Sequence, residues 1–421
     1  MRRPPTTPRR AAIWPTSRMG RRRRNGPISR RTDMADLGVQ RKARPSVAAP
    51  EIGDEAIVSV AAVRDAVKAI GSVIGRRNTI PILLNARLIA DGDSLALSFT
   101  DLDVYATARV PLSAPARLAT SIPASLLASI CREVPGGDLA MHLGEDGRLA
   151  ISTGATRYAV ATLPAEDFPD CPEMPADAVA FEMAGADLAV LLNAVRHAIS
   201  TVETRYYLNG IYMHIVAGEL TFVATDGHRL ARIVTPCPAG AETLLPSIVP
   251  TKMVDLLRRL AERASEPVRL AFSQRWVRAS FDGFEITSKL IDGTYPDYSR
   301  IIPSPDQAYR VTVDPSDLRG AVKRVAAIAT QKLRAVKLAC DKAGVTLSVN
   351  SPENGKASER VAGRVEGGAV EIWFNKDYLA DILSGCIGEK VSLAFDHGTS
   401  PTLVSDPSRP ELTQVQMPMR V

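Results

Sequence analysis

Three stretches of this 421-residue chain repeat one another, and that repeat restricts the possible folds more than any other feature. Residues 57–74 (IVSVAAVRDAVKAIGSVI), 181–199 (FEMAGADLAVLLNAVRHAI) and 310–328 (RVTVDPSDLRGAVKRVAAI) each read as a short strand, a turn and an amphipathic helix. Val58, Met183 and Val313 correspond, then Val63, Leu188 and Leu318, then Val67, Leu192 and Val322, then Ile70, Val195 and Val325. The intervals, 125 and 130 residues, hold along each segment. In the third copy Asp314 is placed to cap the helix, with Pro315 in its first turn. A second element recurs at Ile122-Pro123-Ala124-Ser125-Leu126, Val249-Pro250-Thr251-Lys252-Met253 and Phe374-Asn375-Lys376-Asp377-Tyr378, each opening a helix after a strand. Each of these helices leads into an alternating strand, LAMHL, VRLAF or VSLAF. Residues 219–233 alternate as a hairpin turning at Asp226-Gly227. Each unit is therefore expected to run β-α-β-β-β and then α-β-β-β, an α+β architecture of two helices on one curved sheet, three times over. The units are assigned to residues 51–177, 178–306 and 307–421.

Charge separates the first 50 residues from the rest. They hold 14 Lys and Arg against two Asp, including Arg21-Arg22-Arg23-Arg24, whereas the remaining 371 hold 38 basic and 44 acidic side chains. The formal +6 of the chain thus combines a basic tail with a mildly acidic body, so any nucleic-acid contact by the body needs a local basic surface. The tail reads as disordered. Its apolar run Ala11-Ala12-Ile13-Trp14 stops at Pro15, too short for a secretory signal. It is either a phosphate-gripping arm or translated upstream sequence with Met19 or Met34 as the working start; the second reading is preferred. The five cysteines lack CxxC spacing and the five histidines are dispersed, so no metal, cofactor or disulfide framework is expected. Apolar runs are interrupted by charges before they could span a bilayer, and a reduced, cytoplasmic setting is expected.

Five strings, in this order, resemble the bacterial DNA polymerase III beta sliding clamp family: TIPILLN (79–85), TRYYLNGIY (204–212), ATDGHRLA (224–231), TSKLIDGTYPDY (287–298) and MPMR (417–420). The resemblance covers residues 55–421. It implies three tandem clamp domains that dimerise head to tail into a six-domain ring, with helices lining the hole and sheets forming the outer wall. Such a ring encircles duplex DNA without reading sequence and has no catalysis of its own. It needs phosphate attraction without base-edge contacts. Suitable groups are Arg64, Lys68, Arg76, Arg77, Arg196, Lys252, Arg258, Arg259 and Lys323 on or beside the repeated helices, with Tyr206 and Tyr207 matching a family DNA-contact loop. Ser125 stands where family members can carry a basic residue.

The resemblance also implies a pocket for short peptides of partner proteins: the replicative polymerase alpha subunit, the clamp loader, repair polymerases, mismatch-repair proteins and ligase. Matching positions are Leu208, Thr225, Gly227, His228, Arg229, Leu230, Pro296, Arg300, Ile301, Val415, Met417, Pro418, Met419 and Arg420. Met and Leu would make an adaptable apolar cavity with Arg and His at its rim. Val421 replaces the family's usual terminal Leu. For dimer closure, Arg157, Tyr158 and Val160 match the first-domain side, and Arg324, Ala327 and Ile328 the third-domain side, with Ala327 smaller than the usual aliphatic. Two alternatives compete with this reading. Asp226, His228 and Arg229 could suggest acid/base catalysis, but no nucleophile, metal spacing or phosphate loop accompanies them. The basic tail, Ser125 and Ala327 would suit a specialised paralogue, a mobile-element or inhibitor-tolerant clamp.

Overall fold

The computed structural model describes residues 53–75, 78–330 and 332–420. The first unit runs β1 (Ala56–Ser59), α1 (Val60–Ile70), β2 (Asn85–Thr100), β3 (Val104–Pro123), α2 (Ala124–Glu133), β4 (Asp138–Leu143), β5 (Arg148–Thr153) and β6 (Thr156–Ala161). The second runs β7 (Val179–Met183), α3 (Gly185–Arg196), β8 (Gly210–Val216), β9 (Glu219–Thr225), β10 (Arg229–Pro236), β11 (Ser247–Pro250), α4 (Thr251–Ala261), β12 (Val268–Phe272), β13 (Trp276–Phe281) and β14 (Phe284–Lys289). The third runs β15 (Tyr309–Val313), α5 (Pro315–Val325), β16 (Ala335–Asp341), β17 (Gly344–Ser351), β18 (Gly355–Val361), β19 (Gly363–Glu366), β20 (Val370–Asn375), α6 (Lys376–Ser384), β21 (Val391–Phe395), β22 (Thr402–Ser405) and β23 (Leu412–Gln416). The basic tail, Arg76 and Arg77 lie outside the described residues.

The repeat is one of burial. Val63, Leu188 and Leu318 face the core, as do Ile70, Val195 and Val325, while Val67 is only half-buried where Leu192 and Val322 are enclosed. Asp314 caps α5 as expected, its Oδ1 accepting from the backbone N–H groups of Ser316 and Asp317 at 2.8 and 3.3 Å. Asn375 does the same for α6 through Asp377 and Tyr378. At the start of α3, a Cβ on Gly185 would lie 2.3 Å from the Ala261 carbonyl oxygen, so only glycine lets the two helices of this unit meet there.

The three strands expected between paired helices are realised differently in each unit. The second unit has four, because β11 forms before α4 and makes the unit two β-α-β-β-β halves. The first has two long ones. β2 breaks register between Gly92 and Ser94, and its halves pair with the two ends of β3 as β8 pairs with β11 and β9 with β10. Four strand positions are thus fused into a 16- and a 20-residue strand. The third unit adds the short β19. The hairpin at 219–233 forms as read, with Thr225 opposite Leu230.

The sheets run across the unit boundaries. Val104–Ala108 of β3 pair antiparallel with β14 of the second unit, and β10 pairs with β23 of the third, Arg229 opposite Gln416. In both joints the third strand position of one unit receives the last strand of the next. The first two units share one apolar core, joined by Leu412 of β23, and the rest of the third unit has its own. A small cluster bridges the second joint: Leu208, Val223, Leu230, Ile248 and Tyr295 from one side, Ala394, Leu403 and Val415 from the other.

Candidate functional site

Most of the helix cations singled out from the sequence are engaged within the fold. Arg64 donates to the carbonyls of Cys131 and Val134 at the end of α2, at 2.7 and 2.6 Å. Arg196 meets both carboxylate oxygens of Asp255, and Arg258 bonds Asp255 and Asn193. Burial alone would raise the Asp255 pKa, but the two guanidiniums hold it below the usual carboxylate range. Lys252 crosses to the first unit, where it pairs with Asp101 and the Val73 carbonyl, and Arg259 reaches the Ala69 carbonyl and the Ser72 hydroxyl. Lys68 and Lys323 are exposed, with no ion-pair or hydrogen-bond partner among the described residues. Tyr206 is exposed and meets Tyr207 edge-on at 5.8 Å; Tyr207 itself is half-buried against the bridging cluster.

The residues matched to a partner pocket come together at the joint of the second and third units. Leu208, Leu230 and Val415 are buried together in the bridging cluster. Thr225 and Gly227 build the β9–β10 turn: the Gly227 N–H donates to Thr225 Oγ1 at 3.1 Å, and Thr225 Oγ1 donates to the Arg229 carbonyl at 2.7 Å. Gly227 has φ +86°, and a Cβ there would lie 2.9 Å from Arg205 Nη1, so the turn requires glycine. His228 and Pro296 are exposed. Arg300 is also exposed, paired with Asp297 at 2.8 Å, and Ile301 presents its apolar side chain to solvent. The terminal segment is pinned at two points: the Met417 N–H donates to the His228 carbonyl at 2.8 Å and the Met419 N–H to the Trp373 carbonyl at 2.7 Å. Between these bonds lies Pro418, half-buried, and Arg420 beyond them is exposed.

Arg229 differs from the expectation of a rim residue. Its side chain is only 10% exposed, against 84% for Arg300. Nε bonds Asp226 at 3.1 Å, Nη1 bonds Asp381 at 2.7 Å, and the guanidinium lies 4.1 Å above the Tyr378 ring. Nothing local in the sequence marks Tyr378 or Asp381, because Asp381 is 152 residues from Arg229. Behind them His197 buries its Nε2 without a hydrogen-bond partner among the described residues. Burial first, and then the Arg229 charge, lower the His197 pKa to about 4, so the ring is neutral near pH 7.

The residues matched to dimer closure lie at two sheet edges. β6 ends one sheet, with Tyr158 half-buried, Val160 buried and Arg157 exposed; Arg157 bonds the Gly154 and Thr156 carbonyls. β18 ends another. Arg324 forms a bidentate pair with Glu359 of β18, Ala327 is exposed, and the Ile328 carbonyl accepts from Asn354. β18 is the third of the strands expected between the paired helices, at residues 355–361 that the repeat alone does not locate.

Among the described residues no group of three or more His, Cys, Asp or Glu side chains is placed to hold a metal ion, and no helix is long and apolar enough to cross a membrane. Burial pushes the Cys131 thiol up to about 11 and that of Cys340 to about 12, far from a reactive thiolate.

Comparison with known proteins agrees along nearly the whole body. Residues 56–172, 182–297 and 299–420 match the N-terminal, central and C-terminal domains described for the DNA polymerase III beta subunit. The beta sliding clamp of Caulobacter vibrioides is 43% identical over 367 residues, covering 84% of this chain and 97% of the relative. That of Escherichia coli K12 is 36% identical over 355 residues, covering 83% and 94%. Among solved structures, the sliding clamp of Bartonella birtlesii bound to griselimycin superposes with a TM-score of 0.84 at 34% identity, covering 87% of this chain and all of that one. The Caulobacter crescentus clamp gives 0.81 at 41% identity, covering 87% and 99%.

Proposed function

The chain belongs to the beta sliding clamp family of DNA polymerase III, and on that footing we propose that two copies close head to tail into a ring around duplex DNA. It is a processivity subunit rather than the polymerase itself. One observation carries the ring. Within the chain, each joint pairs the third strand position of one unit with the last strand of the next, β3 with β14 and β10 with β23. Applied once more, the same rule pairs β18 of the third unit with β6 of a first unit, and both are edge strands here. An exposed edge is a template for another chain, and a second copy satisfies both edges at once. Arg157, Tyr158 and Val160 then face Arg324, Glu359, Ala327 and Ile328.

Lys68, Lys323 and Tyr206, together with Arg76 and Arg77, are proposed to meet DNA phosphates; the paired cations contribute mainly to the local field. The cleft over Leu208, Leu230 and Val415 is proposed to take the peptide motifs of the replicative polymerase, the clamp loader and repair partners, with the cytoplasm as the site of action. Residues 51–177, 178–306 and 307–421 are proposed as the three domains.

The decisive measurement is topological. Loaded onto nicked circular DNA by a clamp loader and ATP, the protein should be retained, then released when the circle is cut. Equal retention on linear and circular DNA would indicate ordinary adhesion and end the ring reading.

A further inference from the structure

We infer that Asp381 is a positioning residue for the partner cleft: it holds Arg229, against the Tyr378 ring, as a wedge across the joint of the second and third units, so peptide affinity depends on that joint. The inference rests on the reading of the cleft as a partner pocket.

The wedge closes a circuit of interactions around the cleft. Arg229 opens β10, directly before Leu230 of the bridging cluster, and its own N–H and that of His228 both donate to Asp226 Oδ1, at 3.0 and 2.9 Å. From the His228 carbonyl the circuit passes to Met417, and from Met419 to the Trp373 carbonyl on β20. β20 ends at Asn375, whose carbonyl accepts from Gln416 Nε2 and whose side chain caps α6. On α6, Tyr378 and Asp381 stand one turn apart and return to Arg229 through the ring face and the carboxylate. The guanidinium thus ties the turn at 226–229 to α6, and the terminal segment at 416–419 joins both through its own bonds.

The way Arg229 is engaged decides its role. Two carboxylates and an aromatic face occupy it, and its side chain is nearly enclosed. A guanidinium enclosed to this degree presents little surface to a peptide, although only two of its five N–H donors are taken, and extracting it would leave buried charge unpaired. Its effect on a ligand is therefore exerted through the joint that it registers. Asp381 is the suitable probe because its side chain is half exposed, whereas Asp226 also builds the turn. Replacing Asp381 leaves Arg229 neutralised by Asp226 and the fold intact.

The test uses the full-length protein and a fluorescein-labelled peptide with a Gln-first, Leu-Phe-ended motif, titrated by anisotropy. Asp381→Asn should weaken binding by about tenfold, the scale of removing one charge-assisted hydrogen bond from a network. Asp381→Glu should recover most of that affinity, and dimer mass should stay at the parental value with only a small fall in the melting midpoint. Arg229→Gln combined with Asp381→Asn should bind no worse than Arg229→Gln alone, because the two residues act as one unit. Parental affinity in Asp381→Asn, or effects that multiply in the double variant, would overturn the wedge. Leu230→Ser serves as the control. If it too binds as the parent does, the pocket reading has failed; if it weakens binding while Asp381→Asn does not, only the wedge has failed.

Discussion

Arg196 closes α3 onto α4 by meeting both oxygens of Asp255, each at 2.9 Å, so a cation expected to face DNA is spent inside the second unit. Because both side chains are about a third exposed, solvent screening limits the pair to about 1 kcal/mol. The Asp255 carboxyl is depressed, so its contribution is present above the ordinary carboxylate pKa and is lost as pH falls through the lower folded value. Arg196→Gln should lower the melting midpoint at pH 7 and reduce its fall at acid pH, with DNA retention unchanged. A loss of DNA affinity with an unchanged midpoint would reverse the assignment.

Removing the unpaired cations should have the opposite effect. Lys68→Ala with Lys323→Ala removes four cations from a two-copy ring and should lower the slope of log affinity against log salt by about 3.6, at roughly 0.9 per phosphate contact. Arg64→Gln should leave that slope alone and destabilise the first unit, since Arg64 serves the Cys131 and Val134 carbonyls. Binding to nicked circles across a salt series, beside thermal melts, separates the two.

His197 sets a stability limb between its two pKa values. The unfolded ring binds a proton below its ordinary 6.5, whereas the folded ring resists down to about 4, so stability rises with pH across that window. The full difference is on the order of 3 kcal/mol. Facing it are Arg229, Asp381 and Asp226. His197→Gln should flatten the melting profile from pH 4 to 6.5; a profile as steep as the parent's would place the titration elsewhere.

Deleting residues 417–421 removes the bonds to the His228 and Trp373 carbonyls beside the proposed cleft. Peptide affinity should fall by ~2 kcal/mol, roughly thirtyfold, while the dimer and DNA retention persist. Anisotropy and sedimentation on the same preparation provide both readouts.

The sequence alone determined the threefold repeat, the α+β class and the cap of α5, because burial period and turn chemistry are written within a dozen residues of each other. It also marked the turn at Asp226-Gly227, and the family resemblance named Leu208, Leu230 and Val415, which are buried together in the bridging cluster. It did not distinguish a free cation from an engaged one: Lys68 and Arg64 lie four residues apart on one helix, yet only Arg64 finds carbonyls 67 and 70 residues away. Nor did it separate Arg229 from Arg300, since burial depends on a helix that arrives 152 residues later. Local pattern sets which face of an element is apolar. Which charges meet across units depends on how sheets join at β3–β14 and β10–β23, and those pairings form only when the chain has folded back on itself.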